Sequence, residues 1–311
     1  MATNTEQVLD DTQIRVPVWL GRIMLLITAA AWGGGYSFSA IAMDHEPMPW
    51  LMAVRLCVGA LALGIVIHKR ILRTPLSTIT IPALILGITY WGAYELQMTG
   101  LQTTPPGRNS FLTATYCVMV PFILWVVTKH KPTIWNVIAG FICLFGVGLV
   151  SLADSSQGSS ISTGDLISLA GGVMFGINIA MSGILAKQHD ALTLTFYEFI
   201  IAGILFSIRA FFDVPVDTGA LTNPEFIGSM LYLIVISTMI GQIFQNVAFA
   251  CVPSAQGSLI LCLESVFGVI FSVLITGETI TTTSLIGFTL IFLAILLSEA
   301  PIRQFVEHFR K

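Results

Sequence analysis

Ten apolar runs dominate this chain, at residues 20–42, 50–68, 79–103, 107–128, 133–152, 164–187, 191–212, 226–250, 254–276 and 281–299. As helices rising about 1.5 Å per residue, runs of roughly 20 residues match the ~30 Å hydrocarbon layer of a bilayer. In that layer no water is present to bond the backbone, so each run must close its own N–H···O=C bonds. The expected fold is an all-α integral membrane bundle of ten transmembrane helices. Only 10% of the 311 residues are charged while 55% are apolar, against about 25% charged in a soluble domain.

The positive charges give an orientation. With the N-terminus inside, the inner segments hold Arg15, Arg22, Lys69, Arg70, Arg73, Lys129, Lys131, Lys187, Arg303, Arg310 and Lys311. The outer segments hold only Arg108 and Arg209. That bias predicts a multi-pass protein of the cytoplasmic (inner) membrane with both termini cytoplasmic. Residues 1–18 and 301–311 read as polar tails, the first without the basic start and short apolar core of a signal peptide.

The two halves align on each other. Trp32-Gly33 falls on Phe175-Gly176, and the same offset puts Arg55 on Glu198. After a longer loop the offset grows by five, placing Gln97 on Gln245, Pro105 on Pro253, Ser110 on Ser258 and Thr128 on Thr276. This predicts repeats at 19–153 and 164–300 joined by the Ser/Gly-rich loop 154–163. Five spans per half is odd, so the second repeat enters the membrane upside down. Inverted repeats of this kind build secondary transporters, with the substrate near the midplane between them.

Polar groups at depth mark candidate sites, because an acid at the centre of a span costs on the order of 2.5–3.5 kcal/mol. Glu264, about ten residues into the ninth run, either lines a cavity or ties two helices together. Glu95 lies four residues from Trp91 and beside Tyr94, an arrangement that suits an amine or aromatic ligand but also an interfacial aromatic belt. Gln242, Gln245 and Asn246 repeat at three and four, as one polar stripe. Asn178 lies near mid-depth in the sixth run, with Trp32 and Tyr36 at comparable depth in the first. Arg55 and Glu198 each lie about five residues into a span entered from opposite faces, so a salt bridge between them is not expected, and snorkelling or a local gate partner is expected instead. Glu278 reads as a loop contact.

The stretch with Leu263-Glu264-Ser265, Phe267 and Gly277-Glu278-Thr279, followed by Gly287, resembles the C-terminal repeat of the EamA-type drug/metabolite transporter superfamily, with Ser265 where that family more often has proline. Trp32-Gly33, Arg55, Gly100-Leu101-Gln102, Phe111-Leu112-Thr113, Tyr116 and Pro121 match its first repeat. The resemblance implies ten helices and export of small metabolites such as amino acids. The candidate substrate-binding set is Trp32, Tyr36, Trp91, Tyr94, Glu95, Tyr116, Asn178, Gln242, Gln245 and Glu264, serving alternating access, with Glu264 as either a proton acceptor or a contact for an ammonium group. A phosphorylated cargo is disfavoured, since no Lys or Arg is expected in the central third of the spans.

Other classes are weighed by what they require. A lipid-modifying membrane enzyme needs a nucleophile beside a base, or clustered metal ligands, and a passive channel needs rings of like charge; neither pattern is present. No phosphate-binding Gly-rich loop with Lys points to ATP use. His and Cys show no ligand spacing, so neither metal nor cofactor is expected, and the five cysteines are expected to be free thiols. The expected partners are a small-molecule substrate and the bilayer, with no nucleic acid, in a monomer or homodimer.

Overall fold

In the computed structural model, residues 16–129, 131–152, 162–212, 218–252 and 254–299 are described. Most of both tails and of the 154–163 loop lies outside them. Among the described residues the chain is helical, with no strand. The helices are α1 (Val18–Met43), α2 (Met48–Arg73), α3 (Leu76–Leu101) and α4 (Pro106–Thr128), then α5 (Ile134–Leu152), α6 (Thr163–Leu185), α7 (Ala191–Phe211) and α8 (Pro224–Phe249). The last are α9 (Ser254–Leu261), α10 (Leu263–Thr276) and α11 (Thr282–Glu299). Seven of the described helices are long and apolar enough to cross a membrane, namely α1 to α4 and α6 to α8.

The helix ends follow from local chemistry. Proline or a short polar side chain starts most of them, where the first N–H groups lack intrahelical partners. Pro47 precedes α2, and Asn223 accepts from Glu225 N and Phe226 N to open α8. Ser162 and Asp165 form a reciprocal capping box on α6. Asp190 caps α7 through Thr193 N and also pairs with Arg70 at the end of α2, 2.9 Å away.

Two helices break mid-way without proline at the break. In α4 the turn falls at Thr115, whose hydroxyl donates to Leu112 O at 2.7 Å. Between α9 and α10 it falls at Cys262, and there the Ser265 hydroxyl donates to Cys262 O at 2.8 Å. The continuous runs expected over 107–128 and 254–276 are therefore bent, and Ser265 satisfies a carbonyl at the bend. Hydroxyl back-bonding of this kind bends helices.

The packing has a two-fold pattern. α1 lies against α8 and α10, while α6 lies against α3 and α4; α2 packs on α7, and α5 on α11. Glycine allows the closest approaches. A Cβ at Gly33 would stand 2.9 Å from Glu264 O and 2.5 Å from the Phe267 Cβ, so α1 and α10 meet backbone to backbone. Gly176 on α6 likewise faces Tyr116 O and Met119 on α4. All five cysteines are free.

Candidate functional site

A small cavity sits where α1, α2, α3, α4, α6, α8 and α10 converge. Trp32, Gly35, Tyr36 and Ser39 come from α1, Arg55 from α2, and Tyr94, Gln97 and Met98 from α3. Tyr116, Phe175, Ser237 and Glu264 complete it from α4, α6, α8 and α10. Its free space suits a water or two and no metabolite. The bend at Cys262 falls two residues before Glu264, and the bend at Thr115 immediately precedes Tyr116, so both breaks lie beside a polar side chain that lines the cavity.

Glu264 is 3% exposed, yet both its oxygens are bonded. Tyr36 donates to Oε1 at 2.5 Å and Tyr116 donates to Oε2 at 3.0 Å. Gln97 in turn donates to the Tyr36 oxygen at 2.8 Å. Hydrogen bonds of this kind favour the charged carboxylate against its desolvation. Among the described residues no cation pairs with Glu264.

Arg55 faces the same cavity. Its guanidinium donates to Thr238 Oγ1, to Ser237 Oγ at 2.9 Å and to Tyr94 Oη at 3.2 Å, and lies 4.9 Å over the Tyr94 ring. Every oxygen it meets is a neutral hydroxyl. Arg55 is 2% exposed, so of the two expectations for it, snorkelling and a local partner, its hydroxyl contacts fit the second: the face of α2 that carries it packs into the bundle. Arg55 therefore places one cation at the cavity wall.

Of the other expected residues, Trp32, Tyr36, Tyr94 and Tyr116 line this cavity with Glu264. Trp91 and Glu95 do not. Trp91 packs edge-on to Phe206 of α7, with ring centroids 6.4 Å apart, and Glu95 reaches Arg209 at 3.4 Å near the bundle surface. Four-residue spacing put these two on one face, as expected, but that face turns toward α7. Asn178 and Gln242 are also outside the cavity. They meet Glu198, together with Asn246, and Gln245 donates to Asn246 Oδ1 at 3.3 Å. The polar stripe of α8 thus solvates a buried acid of α7. As expected, Arg55 and Glu198 do not pair. Glu278 accepts from Gly107 N at 2.8 Å and from the Ser272 hydroxyl, as a loop contact.

Sequence reasoning missed Arg55, Gln97, Ser237 and Phe175 as cavity residues. Gln97 and Phe175 had appeared as repeat mates of Gln245 and Trp32, which was a usable signal. Nothing in the sequence gave the rotation of α2.

The EamA-like transporter family model matches the chain twice, over residues 19–152 and 162–299. The chain belongs to the EamA-like transporter family. It is 28% identical over 215 residues to an uncharacterized transporter of Archaeoglobus fulgidus, a match covering 68% of this chain and 66%, just under two thirds, of that protein. The threonine/homoserine exporter RhtA of Escherichia coli (strain K12) is 23% identical over 293 residues, covering 93% of this chain and 95% of RhtA. A crystal structure of a protein 15% identical to this chain superposes with a TM-score of 0.68, over 91% of this chain and 98% of that one. At that identity the likeness speaks to the fold alone.

Proposed function

We propose that the protein is a secondary exporter of small zwitterionic metabolites, amino acids or close relatives, working by alternating access across the cytoplasmic membrane. The observation that carries this reading is the pair of unmatched charges on one cavity: Glu264, held by two tyrosines, and Arg55, held by hydroxyls. An ammonium group would take Glu264 as its partner and a carboxylate would take Arg55, so a bound zwitterion would neutralise both walls at once. Trp32, Tyr36, Tyr94 and Tyr116 would then wall the substrate.

The cavity is too small for such a cargo, so transport requires it to open. Opening would rock the helices of one repeat against the other, with the bends at Thr115 and Cys262 as points of give. In this reading the chain forms ten spans as two inverted five-helix repeats, at 19–153 and 164–300, α9 and α10 together making the ninth, with both termini inside. The name of RhtA supports an amino-acid cargo, and the names of the relatives support transport over enzymatic chemistry.

Counterflow of labelled amino acids into liposomes holding the purified protein tests the proposal. Flux that is saturable and lost in both Glu264→Gln and Arg55→Gln is the expected result. Flux unchanged in both variants would contradict the assignment of the site.

A further inference from the structure

A second buried acid lies outside the cavity. Glu198 of α7 is wholly buried, and three side-chain amides surround it. Asn178 Nδ2 of α6 donates to Oε1 at 2.9 Å, and Gln242 Nε2 and Asn246 Nδ2 of α8 donate to Oε2 at 3.0 and 3.1 Å. Three donors suit the ionised form, which has acceptors only. Structural glue would be made more simply by an amide, with no charge to desolvate.

The amide of Gln242 is the second observation. Its nitrogen serves Glu198, while its oxygen, in a residue with no exposure, has no hydrogen-bond partner. A half-turn of that amide about its Cγ–Cδ bond would present the oxygen to Glu198. A protonated Glu198 would then donate its new O–H to Gln242 Oε1, so the site can satisfy either charge state without moving a helix. Among the described residues no salt bridge reaches Glu198. Tyr90 of α3 packs near Phe199, the neighbour of Glu198 on α7, with ring centroids 6.3 Å apart. Within hydrogen-bond distance α6 and α8 present amides only.

The geometry points to Glu198 as a proton-binding site distinct from the substrate cavity. One proton adds to Oε2, the carboxylate becomes a carboxylic acid, and Gln242 turns to accept. The signal has a route to the cavity along α8. Ser237 and Thr238 of that helix hold Arg55, and Gln242 and Asn246 hold Glu198. Between the two sets α8 is wound as a π-helix, Tyr232–Gln242, a rare form that concentrates at functional sites. Only this last link, from proton to cargo, rests on the transport reading.

The test is an infrared pH titration of the purified full-length protein in liposomes, with the pH alone as the probe. The wild type should show a buried carboxylic-acid band that rises as pH falls. One component of that band should vanish in Glu198→Gln and persist in Glu264→Gln. Asn246→Leu removes a donor to the charged form and leaves Gln242 to accept from the acid, so its midpoint should move to higher pH by about one unit, a tenfold change in proton affinity. That variant carries the test if Glu198→Gln fails to fold. A band left unchanged in Glu198→Gln, a midpoint unmoved in Asn246→Leu, or a response to sodium in place of pH would each overturn the proposal. None of these readings depends on the cargo, so failure of the exporter reading remains distinguishable.

Discussion

Tyr116 donates its hydroxyl proton to Glu264 across the repeat boundary, and the two residues stand 148 positions apart. That is the offset relating Gln97 to Gln245, so they occupy equivalent places in the two repeats. Each follows a bend, at Thr115 and Cys262 respectively. One of the two matched positions supplies an acid and the other its donor.

Removing that donor should act through Glu264. A hydrogen bond to a charged group is worth about 1.5–3 kcal/mol, so Tyr116→Phe should reduce counterflow at neutral pH by about tenfold or more. The lost hydroxyl favoured the ionised form, so activity should recover as pH rises. A pH profile of initial rates checks this; a uniform loss at every pH would point to misfolding.

Gly33→Ala should destabilise the protein by about 1–3 kcal/mol, because the added methyl meets backbone of α10 that cannot yield. Gly140→Ala has nothing within 4 Å of the new carbon and should leave stability unchanged or slightly raised. Thermal unfolding in detergent compares the two.

Arg108 and Asp165 form a buried ion pair joining α4 and α6. Arg108→Met alone should lower stability by about 3–5 kcal/mol, because it leaves a buried carboxylate without its charge partner. Arg108→Met with Asp165→Leu should recover most of that loss. The two unfolding curves measured side by side decide it.

Trp91→Ala should lower stability and leave the order of substrate preference unchanged, since its ring packs on Phe206 away from the cavity. A competition panel of aromatic and small amino acids reads this directly. Selective loss of aromatic substrates would place Trp91 back at the site.

The bundle was legible because each apolar run is long enough to force a helix, and the repeat because Trp32-Gly33 and Gln97 have mates at constant offsets. The direction of polar side chains was legible only in part. Spacing put Trp91 with Glu95, and Gln242 with Gln245 and Asn246, on shared faces. Which neighbour each face meets depends on helix rotation, which packing sets. That is why Arg55 turned inward and the α8 stripe met Glu198. The bends were illegible for another reason: Thr115 and Cys262 are held by hydroxyl-to-carbonyl bonds, without the proline that announces a kink.

The most direct measurement is binding of L-threonine, its methyl ester and its N-acetyl derivative to wild type, Glu264→Gln and Arg55→Gln. Wild type should prefer the free zwitterion by tenfold or more over each blocked form. Arg55→Gln should lose only its discrimination against the ester, and Glu264→Gln only its discrimination against the N-acetyl form. A wild type that binds all three alike, or variants that keep both preferences, would contradict a cavity built around two opposed charges.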